Sequence, residues 1–584
     1  MPAPSRRAAL LLFAAFSLAV GGLAWGRPVR REPPPPVAPE FAEGKPRVKL
    51  AVLVVFDQLR ADYLVKWRPQ FGRGGFARLQ AEGAWFTRCY YPYGTTTTGP
   101  GHASMLTGTS PYKHGIINNN WFEGGADTYC ASHSRYQVVP PAPADPTAKK
   151  DAKPKAAGTP DRLMSETVAD VLKRSTGGKG KVFGLSLKDR SAILPTGKRP
   201  DGAYWFDGRF CTSTYYADGV HPWVAAFNAS GKAEKYLDRA WERFRPELDY
   251  DTLAGPDDGS GEGGGSGQGK VFPHPMNAGK EAVSKGYYEA LANSPFGNDL
   301  LLEFTKACVA AEGLGKDDVP DLLVVSFSSN DLVGHTWGPD SQEVLDVTLR
   351  SDAMMADFLT FLDAHVGKGN YAMTVTADHG ICPLVQHSAE RGVDALQVPP
   401  AKLRERCEAH LKEAFGAAAA GPKDPKAKTA WVEAFSAPWL YLNPRLLEAA
   451  KKPRGEVAAS VADFLRKQPE VARVFTRDEL ASTVPDDDVL AQRVKRSFYP
   501  ERSGDVYVVM RPYYLPSKPG DAGTTHGAPY NYDTHVPLVV YGPGVGGGPR
   551  TEPTTPQAAA AITARFLGVR PPKDADFPVP TTLE

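Results

Sequence analysis

Three short apolar runs, each closed by a carboxylate, constrain the fold of this chain more than any other feature. Leu50 to Phe56 runs directly into Asp57; Leu322 to Phe327 is followed by Asp331 and His335; Met373 to Thr376 is followed by Asp378 and His379. These runs are rich in β-branched residues and nearly free of polar ones, the pattern of strands buried on both faces of a parallel sheet. Ligands of open α/β sheets sit outside the carboxyl ends of the strands, so distant stretches of chain deliver their last residues to one place. Strands alternating with helices, such as the apolar stripe Leu345, Leu349, Met355, Leu359 and Leu362, predict an α/β fold with a mostly parallel central sheet covered by helices on both faces.

A second feature supplies a nucleophile. Thr95-Thr96-Thr97-Thr98 meets the breaker Gly99-Pro100-Gly101 and then the apolar run His102 to Leu106, which predicts a tight loop opening into a helix with Thr98 at its mouth. A hydroxyl there meets free backbone N–H groups and the positive end of the helix dipole, both of which favour an alkoxide or a phosphoryl group. A threonine alcohol still needs an adjacent base or a metal to attack anything. Asp57, Asp331, His335, Asp378, His379 and Thr98, joined by His526 from the loop Gly523-Thr524-Thr525-His526-Gly527, are the oxygen and nitrogen donors that two zinc ions accept.

From about Lys49 to about Gly544 these motifs resemble the alkaline phosphatase superfamily, and within it the phosphate-irrepressible alkaline phosphatases and the nucleotide pyrophosphatase/phosphodiesterases. The resemblance implies one metal held by Asp57, Asp378, His379 and the Thr98 oxygen, and a second held by Asp331, His335 and His526. It also implies that Asn119, Lys188 and Arg190 contact the non-bridging oxygens of a phosphate monoester. The expected enzyme is a zinc-dependent phosphomonoesterase acting on small phosphate esters through a phosphothreonine. A diesterase on the same metals is the alternative, and would call for a pocket for a second ester group in place of the Lys/Arg pair. A sulfatase is excluded by the absence of a Cys/Ser-x-Pro-x-Arg nucleophile segment. A non-catalytic binding module on this fold would not need every donor intact. His102, His114 and His535 are expected to support or pack rather than to ligate.

The 584 residues suffice for one large enzyme domain with insertions. A net charge of +2 gives no footprint for nucleic acid or for an anionic membrane surface. Arg6-Arg7 before the apolar run Ala8 to Trp25 reads as a secretory signal over 1–26, with twin-arginine export or an uncleaved anchor as variants, and places the protein in the periplasm or outside the cell. Residues 27–48, with Pro33 to Pro36, form a stiff linker. The catalytic core is assigned to 49–398 and 499–584, and an inserted cap or auxiliary lobe to 399–498; strand Asp505 to Met510 is expected to return the chain to the core. Pro140 to Pro160 is an exposed insertion, Ala417 to Lys428 a linker within the lobe, and Gly255 to Gly269 a mobile loop. Cys89, Cys130, Cys211, Cys308, Cys382 and Cys407 leave disulfide pairing open.

Overall fold

The apolar runs form the centre of one sheet. Its strands, in chain order, are β1 (Leu50–Phe56), β2 (Ala84–Phe86), β3 (Val138–Val139), β4 (Val182–Ser186), β5 (Gly202–Phe206), β6 (Phe210–Ser213), β7 (Asp321–Phe327), β8 (Tyr371–Thr376), β9 (Leu538–Tyr541) and β10 (Gly548–Arg550). Their spatial order is β10-β2-β9-β8-β1-β7-β4-β5-β6-β3. Strands β8, β1, β7, β4 and β5 are mutually parallel. Every residue of β1, β7 and β8 is buried, which is why their sequences lack the alternation of a half-exposed strand. Strand β9 lies antiparallel between β8 and β2, making the sheet mixed.

Register turns this order into a site. Phe56 is level with Phe327, and Val55 with Thr376, so β1, β7 and β8 end side by side. The residues that follow them, Asp57, Asp331 and Asp378, are delivered to one rim, and the neighbouring β4 delivers Lys188 and Arg190. Helices α1 (Thr98–Thr107), α2 (Pro295–Glu312), α3 (Ser329–Trp337) and α4 (Gln342–Leu362) pack into the same core. Leu345, Leu349, Met355, Leu359 and Leu362 are all buried, as their helical spacing requires.

The structure is a computed structural model that describes residues 44–142, 157–277, 279, 282–416 and 430–583. The expected leader at 1–26, most of the expected linker at 27–48, the greater part of the expected insertion Pro140 to Pro160 and the stretch Ala417 to Lys428 lie outside these residues. Two readings are corrected. Strand Val506–Met510 does not rejoin the main sheet; it pairs with Trp439–Leu442 and Val471–Thr476 in a four-stranded sheet that also holds Val432–Ser436. That sheet and the helices α5 (Pro400–Phe415) and α6 (Arg454–Leu465) share a separate apolar cluster that includes Val506 and Val508, past the expected lobe boundary at 498. The glycine-rich segment is not a free loop either: Gly263 N–H donates to Thr336 O at 2.7 Å, Gly523 N–H donates to Gly261 O at 2.7 Å, and Glu262 and Gln268 are buried. All six cysteines are buried free thiols.

Candidate active site

The four threonines are separated by what each hydroxyl touches. Thr95 Oγ1 is 3.2 Å from Tyr507 OH, Thr96 donates to Ala528 O at 2.9 Å, and Thr97 donates to Asn118 Oδ1 at 2.9 Å. Only Thr98 turns its oxygen to the rim, 3.3 Å from His379 Nε2 and 3.3 Å from Arg190 Nη2. Thr98 is the first residue of α1, with extended Thr97 before it. Pro100 costs nothing there, because an N–H in the first turn has no partner within the helix. Gly101 is required by approach: a Cβ on it would overlap the Asp378 carbonyl, so only glycine lets α1 lie against the end of β8.

Around Thr98 the strand-end donors fall into two groups close enough to hold a metal: Asp57, Asp378 and His379, and Asp331, His379 and His526. His379 Nε2 is 3.5 Å from Asp57 Oδ1 and 3.3 Å from Asp378 Oδ2. Asp331 and His335 lie one turn apart on α3, with His335 Nε2 3.2 Å and His526 Nε2 3.7 Å from Asp331 Oδ1. His335 stands beside the second group through Asp331 without being one of its three members, and His379 belongs to both groups.

The donors are prepared for a cation. Each imidazole gives its Nδ1–H to a backbone carbonyl: His335 to Thr524 O at 2.7 Å, His379 to Gly380 O at 2.9 Å, His526 to Thr96 O at 2.8 Å. A carbonyl can only accept, so all three present the Nε2 lone pair to the site. Burial lowers the pKa of His379, and burial with neighbouring imidazoles lowers that of His526, keeping both neutral. Asp57 Oδ1 and Asp378 Oδ2 are buried without any hydrogen-bond partner. Burial, reinforced by Asp331 and Asp378, pushes the Asp57 carboxyl well above the usual range. For Asp331 burial acts in the same sense but is outweighed by Lys188 and His335, and for Asp378 by His379 and His102, so both lie below it. Three packed carboxylates, two of them with a partnerless oxygen, are costly unless cations accompany them, and the residues fit a metal cofactor.

Lys188 and Arg190 reach this centre from β4. Lys188 Nζ is 2.7 Å from Asp57 Oδ2 and also pairs with Asp331, so it lies on the carboxylates themselves. Arg190 is anchored by Nη1 donating to Tyr129 OH at 3.3 Å, while its Nε has no partner. Asn119 accepts from Gly99 N–H at 2.6 Å, one residue past the nucleophile.

Several residues here carried no sequence motif. Gln58, in the left-handed region at φ 71°, donates its N–H to Asp378 Oδ1 at 3.0 Å and its Nε2–H to Asp331 Oδ1 at 2.7 Å, tying the two groups together. His102 donates Nδ1–H to Thr98 O at 2.9 Å, lies 3.3 Å from Asp378 Oδ2, and does not join either donor group. Asp533 Oδ2 accepts from Gly527 N–H at 2.8 Å and Ala528 N–H at 2.7 Å, fixing the loop that carries His526. Position directly after Asp57 was the one available signal for Gln58; nothing local marked Asp533.

Residues 51–529 match the family model described as type I phosphodiesterase / nucleotide pyrophosphatase. The chain belongs to that family. It is 34% identical over 541 residues to alkaline phosphatase PafA of Elizabethkingia meningoseptica, covering 91% of this chain and 93% of that protein. It is 32% identical to alkaline phosphatase PhoV of Synechococcus elongatus, over 93% and 94% of the two chains. The crystal structure of wild-type PafA superposes with a TM-score of 0.83 at 33% identity, over 92% of this chain and 99% of that one. A second PafA structure, TM-score 0.82, is of a variant in which a threonine is replaced by serine and an asparagine, a lysine and an arginine by alanine. The α/β fold expected from the apolar runs is therefore the PafA-like fold, and the chain is a phosphoester hydrolase of the alkaline phosphatase type. Relatives of this type imply a metal cofactor, and the two donor groups suit one.

Proposed function

We propose that the chain is an exported zinc-dependent phosphomonoesterase that hydrolyses small phosphate esters through a phosphothreonine at Thr98. The observation that carries this reading is the position of the Thr98 hydroxyl, alone among its neighbours in facing both His379 and Arg190. Asp57, Asp378 and His379 with Thr98 would hold one zinc, and Asp331, His335 and His526 the other. Zinc bound in this way supplies Lewis acidity that lowers the pKa of a coordinated alcohol or water and offsets charge on an ester oxygen.

The chain's own groups do the rest. The Thr98 oxygen attacks phosphorus as the bond to the leaving alcohol breaks, the phosphoryl group passes to Thr98, and water then cleaves the phosphothreonine to release phosphate. The N-terminus of α1 favours the negative charge that collects there. Arg190, fixed by Tyr129, has donors for a non-bridging oxygen, and Lys188 and Asn119 flank it. Together they favour a monoester dianion over a diester, which carries less charge. The same four residue types in the same chain order, with lysine and arginine two residues apart, are those replaced in the PafA variant.

Export rests on Arg6-Arg7 and the apolar run Ala8 to Trp25. Among the described residues no helix is long and apolar enough to cross a membrane. Acid quenching during turnover followed by peptide mapping tests the mechanism: phosphate is expected on Thr98 and not on Thr95, Thr96 or Thr97. Its recovery on another residue, or a zinc-free enzyme with full activity, would refute the reading.

A further inference from the structure

Beside the donor groups, a cleft of about 120 Å³ runs between the nucleophile loop and the inserted lobe. Thr97, Asn118 and His526 form its inner end; Phe435, Pro438 and Met510 form its lobe side. Its inner end is thus formed by the chain neighbours of Thr98 and Asn119 and by His526 of the Asp331 group. We propose that this cleft is the subsite for the organic leaving group of the ester, and that it selects an aromatic ring. The inference rests on the phosphomonoesterase reading, in which the leaving oxygen departs on the side of the Asp331, His335 and His526 group, away from Thr98.

The wall chemistry makes the choice. Several polar atoms around the cleft are already engaged: Tyr530 OH donates to Met510 O at 2.6 Å, Asn118 Nδ2–H donates to Ala437 O at 2.9 Å, and Tyr514 OH donates to Asp394 at 2.8 Å. Of the charged lining groups, Asp533 Oδ2 accepts from Gly527 and Ala528 N–H while its Oδ1 is buried without a partner, and Arg511 pairs with Asp394 at 3.4 Å. A sugar or glycerol moiety entering here would give up more water than the few open acceptors replace, whereas a ring loses nothing and buries carbon. The volume suits a single ring, since an apolar cavity of roughly 150 Å³ binds benzene. Among the described residues Arg511 is the one lysine or arginine lining the cleft, and it is paired with Asp394, so a nucleoside polyphosphate is a poorer fit than a ring.

Benzyl and methyl phosphate test this directly, because their leaving alcohols are nearly equal in acidity and differ in the ring. Burying a ring predicts a kcat/KM about ten- to a hundredfold higher for benzyl phosphate. Phe435→Ala, which removes a wall, and Met510→Phe, which fills the space, should each bring the benzyl to methyl ratio toward one, with circular dichroism confirming the fold of both. A ratio near one in wild type, or one that both folded variants leave unchanged, overturns the proposal. Benzyl alcohol, followed by saturation-transfer NMR, separates this idea from the metal-site reading because it carries no phosphate. Binding that is lost in Met510→Phe supports the cleft however the metal centre behaves, and absence of binding to wild type overturns it even when methyl phosphate is turned over.

Discussion

Replacing Arg190 by alanine tests monoester selectivity at a single side chain. The side chain is half-buried, is held by Tyr129, keeps one N–H on Thr98 Oγ1 at 3.3 Å, and has a buried Nε with no partner. Burial opposes its charge, but Tyr129 and Asp189 outweigh this and hold its pKa above the ordinary value, so it remains a cation at any working pH. Because it is already fixed, contact with a phosphoryl oxygen costs little further side-chain entropy. A charge-assisted contact of this kind is worth about 1.5–3 kcal/mol. At about 1.36 kcal/mol per decade that is roughly a ten- to hundredfold loss of kcat/KM on an aryl phosphate monoester. A diester presents less charge at the same oxygen, so its loss should be only about threefold or less. Arg190→Lys keeps the charge without the fork and should fall between. Steady-state kinetics of wild type and both variants on matched aryl monoester and diester decide it. Equal proportional losses on the two substrates would refute the reasoning and make Arg190 a structural charge.

Thr98→Ala should lower monoester kcat by on the order of a thousandfold while retaining both zincs by elemental analysis, and a wild-type rate would exclude Thr98 as nucleophile. Chelation should abolish activity and added zinc restore it. Acid should act in the same direction: at His335 burial opposes protonation but Asp331 outweighs it, raising its pKa above 6.5, so metal affinity weakens progressively as pH falls below that raised value. Metal content after dialysis at stepped pH checks this, and full retention at pH about 5 contradicts it. Asp533→Ala strands the N–H groups of Gly527 and Ala528, costing on the order of 1–3 kcal/mol of stability and about ten- to a hundredfold in zinc affinity. A lowered melting temperature with unchanged zinc affinity in a competing-chelator titration would reduce Asp533 to a structural role.

The strand-end donors were legible because a buried parallel strand must be apolar throughout, so the first carboxylate after it stands out. Asp331 and His335 were legible for a second reason, since four residues apart on a helix is one face. Pairing partners were not legible. A buried strand reads the same in either direction, which hides the antiparallel entry of β9, and nothing in Val506–Met510 says which of two sheets it joins. Composition misled at Gly255 to Gly269: glycine there serves close approach, since a Cβ at Gly261 would strike the Gln386 side chain and one at Gly263 would press on the Thr336 carbonyl oxygen. Gln58 and Asp533 escaped because they act through backbone and carboxylate contacts that only the folded chain brings together.

The inserted lobe, which carries none of the donor residues, bears on the nucleophile all the same. Ser497 Oγ accepts from Gly94 N–H at 2.8 Å and from Thr95 N–H at 3.1 Å, Tyr507 OH meets Thr95 Oγ1, and Ala437 O accepts from Asn118. On the opposite side Gly101 presses α1 against Asp378, and Gln58 ties Asp378 to Asp331. Thr98 is therefore clamped between a strand end that carries the donors and a lobe that carries the cleft wall. A hydroxyl that must attack in line gains from such support, because displacements near 1 Å cost large factors in rate. The clamp also couples chemistry to substrate choice: a shift of the lobe sheet that reshapes the cleft at Met510 would move Tyr507, on the same strand, and with it the turn that aims Thr98.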